Sequence, residues 1–144
     1  MQSGGLTFDH LGVIVPDIDA GFAMFDPMFG PLSWSHRVDD PALGVSVRFA
    51  RDKSGLIYEL VAPLGTSSPV ARTLKSRSNL LNHVAYRTRT LEPAVERFRR
   101  LGAVPVGPPS PAVAFGGARI QFVMSPLGFL TELIELDRAT HPFD

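Results

Sequence analysis

A single offset of 73 residues places His10 on His83, Gly55 on Gly128, Glu59 on Glu132 and Leu60 on Leu133. The same offset sets Asp17 on Thr90, two residues suited to cap a helix. No gap is needed between the two copies. Chance readily aligns apolar residues in a strand-rich chain. It is far less able to align both of the polar residues that sit inside apolar strands. The chain therefore reads as an internal duplication, and its fold must be built twice.

The local patterns restart where the offset says they should. "TFDHLGVIV" (7–15) reads as a strand, and a helix follows with Asp17 as its cap and Ile18, Phe22, Phe25 and Phe29 at helical spacing. Pro27 is expected to end or bend that helix. Strands are predicted over 32–38, 44–52 and 55–63. A connector with a short helix is expected next, capped by Ser67 or Ser68 with Pro69 in its first turn. In the second half a strand is predicted over 80–88 and a helix over 90–102, with Thr90 as cap. "AVPVGPPSPAVAFGG" reads as a Pro/Gly-rich loop with at most a short strand at its start. Strands over 118–124 and 128–136 close the chain. The order is βαβββ followed by βαβββ. We expect one domain made of two modules, 6–63 and 80–137, joined by a connector over 64–79.

Composition narrows the function. The chain has 144 residues, 44% of them hydrophobic, which suits a packed core. Lys and Arg total 14 and Asp and Glu total 14, so no net charge draws it to nucleic acid or an anionic membrane. Without Cys, disulfides and thiolate metal sites are excluded. The first ten residues lack a signal-peptide pattern, and no apolar run is long enough to span a bilayer. A cytoplasmic protein is expected.

Side-chain alternation assigns faces. His10 shares a face with Phe8, Gly12 and Ile14, while Leu11, Val13 and Val15 form the helix-packing face. Glu132 shares a face with Leu130 and Ile134. Glu135 falls on the other face and reads as a surface charge. Burying a carboxylate in a strand is costly unless it is paired. Two histidines and two carboxylates make a metal site the economical explanation: His10, Glu59, His83 and Glu132. Imidazole nitrogen with carboxylate oxygen suits a divalent Co, Ni, Mn, Zn or Fe ion. Two carboxylates neutralise such an ion, and four protein ligands leave two octahedral positions open.

At these residues the chain resembles the vicinal oxygen chelate superfamily, which includes glyoxalase I, methylmalonyl-CoA epimerase, extradiol dioxygenases and resistance proteins. The resemblance runs from "FDHLGVIVPDID" to "ELIEL". It implies an α+β fold in which two tandem βαβββ modules form a cup-shaped mixed sheet with helices outside. It also implies metal ligands at His10, Glu59, His83 and Glu132. "YELVAPLGTSSPVARTLKSRSNLLNHVAY" is most similar to the methylmalonyl-CoA epimerase branch. That branch uses a further carboxylate near the segment before "GVSV". Here Ala42 and Leu43 stand at that place, with Asp39 or Asp40 as nearby substitutes.

The resemblance implies metal-assisted proton abstraction beside a carbonyl, by an isomerase or lyase. Glu132 is the first candidate base and Glu59 the second. His36 reads as an exposed edge-strand residue. Ser46, Arg48, Arg119 and Gln121 are expected to bind substrate, because the alternate residues Val45, Val47, Phe49, Ile120, Phe122 and Met124 look fit to pack on helices. Two arginines there would favour an anionic small molecule, an acyl-CoA or another carboxylate-bearing compound. A homodimer is expected. The alternatives are a non-catalytic resistance-type binding protein of the same fold and an extradiol-type dioxygenase.

Overall fold

The computed structural model describes residues 5–65, 67–136 and 143. Asp137, the last residue of the second expected module, lies outside them. The described residues form nine strands and three α-helices in an α+β arrangement, and the doubled βαβββ order is borne out. The described residues divide into two compact units, one of residues 10–82 with Phe143 and the other built from residues 5–9 and 83–136. The division falls inside the first strand of each module.

In the first module, β1 (Thr7–Ile14) leads into α1 (Ile18–Phe29). Asp17 caps α1 as expected: its Oδ1 accepts the Ala20 N–H at 2.7 Å. Four strands follow: β2 (Ser33–Trp34), β3 (Val38–Asp40), β4 (Val45–Arg51) and β5 (Ile57–Pro63). The strand order is β2-β4-β5-β1, with β3 also on β4. β5 runs parallel to β1 and antiparallel to β4, so the sheet is mixed. α1 covers one face, where Val15, Ile18, Leu60 and Ala62 form a buried cluster with Val13, Phe25 and Trp34 against it.

Two expectations for this module need correction. The strand over 32–38 is broken into β2 and β3. Between them the Ser35 hydroxyl accepts the Phe49 N–H at 3.0 Å, so a side chain replaces a rung of the backbone ladder. α1 also continues through Pro27 to Phe29. The proline sits in the last turn, and beyond it the Gly30 N–H still bonds the Asp26 carbonyl at 2.9 Å.

The connector holds α2 (Pro69–Ser76), capped by Ser68 with Pro69 in its first turn, as expected. The second module comprises β6 (Leu81–Thr88), α3 (Leu91–Arg100), β7 (Val104–Pro111), β8 (Arg119–Met124) and β9 (Leu130–Glu135). Its strand order is β6-β9-β8-β7, with β6 and β9 parallel. α3 covers a cluster of Leu91, Ala94, Val95, Ala103, Val123 and Leu133. Here the Pro/Gly-rich stretch is a full strand rather than a loop. β7 lies at the sheet edge, where prolines are tolerated, and its register on β8 shifts between Val106 and Ser110. The Gln121 side-chain amide donates to the Gly107 carbonyl at 2.8 Å across that irregularity.

Candidate metal centre

Each module builds the same buried pair. In the first, β1 and β5 are in parallel register with Gly12 beside Glu59, so His10, two residues back, shares the Glu59 face. His10 Nε2 lies 3.1 Å from Glu59 Oε1. In the second, Ala85 lies beside Glu132 and His83 beside Leu130, which puts His83 on the Glu132 face. His83 Nε2 lies 3.2 Å from Glu132 Oε1. All four side chains are buried.

An aromatic ring backs each histidine, and sequence reasoning missed it. Phe49 opposes Glu59 across β4 and β5, and its ring meets His10 edge-on at 5.4 Å. Phe122 opposes Glu132 across β8 and β9 and meets His83 edge-on at 5.2 Å. The two phenylalanines are themselves 73 residues apart, so the repeat carried the signal. Phe49 is fully buried. An apolar wall around a His–Glu pair limits water and strengthens its electrostatics.

That apolar wall overturns the expected substrate-binding set. Ser46 and Arg48 alternate with Phe49 on β4 and so face away from Glu59, toward Leu60 and α1. Ser46 Oγ donates to Asp39 at 2.7 Å. Arg48 Nε donates to the Ser35 carbonyl at 2.8 Å, and its guanidinium lies 5.0 Å from the Phe22 ring and 5.1 Å from the Trp34 ring. Arg119 and Gln121 likewise lie on the face opposite Glu132. Arg119 donates to both oxygens of Glu92 on α3 and to Glu135 on β9. These bonds raise the Arg119 pKa, while the Arg119 fork holds the Glu92 carboxyl below its ordinary range. The parity argument failed because apolar residues occupy both faces of β4 and β8.

Glu135 is also more than a surface charge. It lies on the face opposite Glu132, as expected, but that face meets α3, and its Oε2 accepts the Leu91 N–H at 2.9 Å. Thr90 makes no side-chain cap bond, so Glu135 supplies the acceptor at the start of α3.

The segment before "GVSV" holds no carboxylate at Ala42 or Leu43. Asp39 lies on the Ser46 face of β3, opposite in sense to Glu59. Its pKa is lowered by the Ser46 hydroxyl and then by Arg37. Asp40 shares the Val45 face, which is that of Phe49 and Glu59; it is buried and accepts the Leu43 N–H at 3.1 Å. His36 is exposed in the gap between β2 and β3, as expected.

A charged pair that the sequence reading did not single out lies in the second unit. Arg87 shares the face of His83 and Ala85 on β6 and so lies on the Glu132 side. Its Nε lies 3.2 Å from Oδ1 of the buried Asp9.

A doubled βαβββ module with a buried His–Glu pair in each copy defines a glyoxalase-type protein. The model of the glyoxalase/bleomycin resistance protein/dioxygenase superfamily matches residues 9–122, and the chain belongs to that superfamily. It is 30% identical over 131 residues to an ethylmalonyl-CoA/methylmalonyl-CoA epimerase from Cereibacter sphaeroides, covering 90% of this chain and 96% of the relative. Its structure is similar to that of methylmalonyl-CoA epimerase from Mycobacterium tuberculosis, with a TM-score of 0.73, 26% identity and coverage of 89% and 86% of the two chains. A hypothetical protein from Bacillus halodurans shares the fold at a TM-score of 0.81 and 24% identity, with 95% and 99% covered. Among the described residues no helix is long and apolar enough to cross a membrane.

Proposed function

We propose that the chain is a metal-dependent epimerase of the methylmalonyl-CoA epimerase type, acting on a thioester whose α-carbon also bears a carboxylate. The observation that carries this reading is the repeated buried His–Glu pair. Two buried carboxylates with two imidazoles make a donor set suited to one divalent ion, here Co, Ni, Mn, Zn or Fe. His10, Glu59, His83 and Glu132 would hold it, and the modules 6–63 and 80–137 would work as one domain. When bound, the ion supplies Lewis acidity toward a carbonyl oxygen, which acidifies the adjacent carbon.

The residues themselves do the rest. Glu132 is the first choice for taking the α-proton, and Glu59 the second. Each carboxylate places an oxygen 3.1–3.2 Å from a histidine nitrogen of its own module, so the two donors stand side by side before substrate arrives. Phe49 and Phe122 exclude water from the pair that each one backs. The 30% identity to the Cereibacter sphaeroides epimerase supports the substrate class. The expectations of a homodimer and a cytoplasmic location belong to this same proposal and rest on likeness to the family.

The test is α-proton exchange. The metal-loaded protein, given methylmalonyl-CoA in deuterated water, is expected to place deuterium at the α-carbon, and Glu132→Gln to slow this at least about 100-fold. Protein that binds none of the five metals overturns the metal site. Metal binding with neither exchange nor epimerisation overturns the epimerase and leaves a binding protein.

A further inference from the structure

The sequence reading expected arginines on the substrate face, and the two it named turn away. Arg87 takes their place. Three observations single it out. The β6 register puts it on the His83 and Glu132 face, four residues beyond His83, which is about 13 Å along the strand. Its buried Nε lies 3.2 Å from Asp9 Oδ1, an ion pair with no hydrogen bond formed, and the Asp9 side chain is only 4% exposed whereas the Arg87 side chain is 31% exposed. Among the described residues its terminal nitrogens make no hydrogen bond. The third observation is asymmetry. The offset of 73 that preserves His, Glu, Phe and Gly puts Arg87 on Ile14, an apolar and buried residue. The charge belongs to one module alone, where a substrate with different ends would need it.

We infer that Arg87, oriented by Asp9, receives an anionic oxygen group of the substrate and helps set its specificity. A guanidinium whose Nε side faces a buried carboxylate offers its two terminal nitrogens as a fork for a carboxylate or a phosphate. Asp9 reduces the rotamer freedom that binding would otherwise remove. The inference rests on the proposed thioester substrate, which carries both chemistries: a carboxylate on the acyl group and phosphates on its carrier.

The experiment measures binding to metal-loaded wild type, Arg87→Gln and Arg87→Lys by calorimetry. The probes are CoA, propionyl-CoA and methylmalonyl-CoA. Arg87→Gln is expected to weaken binding roughly 10- to 100-fold, as loss of a charged hydrogen-bonding partner does. A loss confined to methylmalonyl-CoA assigns the fork to the acyl carboxylate. An equal loss for all three assigns it to phosphate. Arg87→Lys keeps charge without the fork and is expected to recover part of the affinity; it also serves if Arg87→Gln fails to fold. Unchanged affinities in folded variants overturn the inference while leaving the epimerase reading intact. Wild type that binds all three yet exchanges no proton overturns only the reaction. Wild type that binds none of the three overturns both.

Discussion

The two modules agree most closely where the chemistry is. Each buries one His–Glu pair at nearly the same separation, 3.1 Å and 3.2 Å, and each sets a phenylalanine edge against the histidine. They also share a turn. Gly55 and Gly128 have φ of 93° and 92°, and each donates its N–H to the residue three before it, Asp52 and Ser125. Only glycine adopts that left-handed conformation without strain, so both copies keep it. They differ at their helices. α1 starts on the side chain of Asp17, its own neighbour, whereas α3 starts on Glu135, a residue 44 positions away on another strand. Duplication thus held the site and the turn that precedes its glutamate. How each helix is tied to its sheet was free to change.

The sharpest way to break this comparison is to remove one histidine at a time. If the pairs share one ion, His10→Ala and His83→Ala will each abolish activity and weaken metal affinity alike. Each loss should exceed the roughly 10- to 100-fold that follows removal of a group outside the ligand set. Elemental analysis of the purified variants checks it. One variant that retains full metal would show that the two pairs are not equivalent.

The phenylalanines should separate the modules. Phe49 is fully buried and Phe122 only partly so. Phe49→Ala is expected to cost about 3–5 kcal/mol, the range for deleting a buried ring, and Phe122→Ala less. Denaturant unfolding measures both, and equal losses would mean that the exposure difference has no energetic weight.

How much of this was legible in the sequence follows from the same contrast. The ligand pairs were readable because they are polar residues inside apolar strands, repeated at one offset. The faces of β1 and β9 were readable because the repeated polar residues, His10 and Glu132, marked a side. β4 and β8 misled. Both of their faces are largely buried, so alternation gave no inside, and Ser46, Arg48, Arg119 and Gln121 were placed on the wrong one. Long-range pairings with no repeat behind them were not legible. Nothing local in "GFLTELIEL" says that Glu135 caps a helix begun at Leu91. Likewise, nothing in "VGPPSP" says that β8 will hold it as an edge strand.

A smaller effect tests packing between helix and sheet. Gly21 and Ala94 are equivalent, each buried on its helix. A Cβ added at Gly21 would lie 2.9 Å from Leu60 Cδ1 and 3.1 Å from both Val15 methyls. Gly21→Ala gains about 1 kcal/mol of helix propensity. Overpacking against a fully buried leucine and a β-branched valine costs about 1–3 kcal/mol, so net destabilisation is expected. Ala94→Gly should lose about 1 kcal/mol from propensity. A stabilised Gly21→Ala variant would show that α1 can shift off its sheet more freely than this packing implies.

The smallest expected effect is in acid, where the helix anchors should release in order. Asp26 in α1 accepts from Trp34 Nε1 at 2.9 Å and the Leu32 N–H at 3.1 Å, and these bonds, Trp34 foremost, lower its pKa from 3.8. Glu92 in α3 is lowered from 4.5, chiefly by Arg119. A carboxyl with a depressed folded pKa stabilises above its unfolded pKa and loses that contribution as pH falls through the folded value. The α3 anchor therefore begins to weaken below about pH 4.5 and the α1 anchor only below about pH 3.8. Hydrogen exchange on lowering the pH from 5 should show α3 amides losing protection before those of α1. Glu92→Gln should flatten the acid limb of the melting curve at its upper end, and Asp26→Asn at its lower end. Glu92 is exposed and Asp26 only half-buried, so the shifts in melting temperature should be small. Simultaneous loss of protection in the two helices would mean that acid opens the modules together, and that the divergent tethers do not set the order.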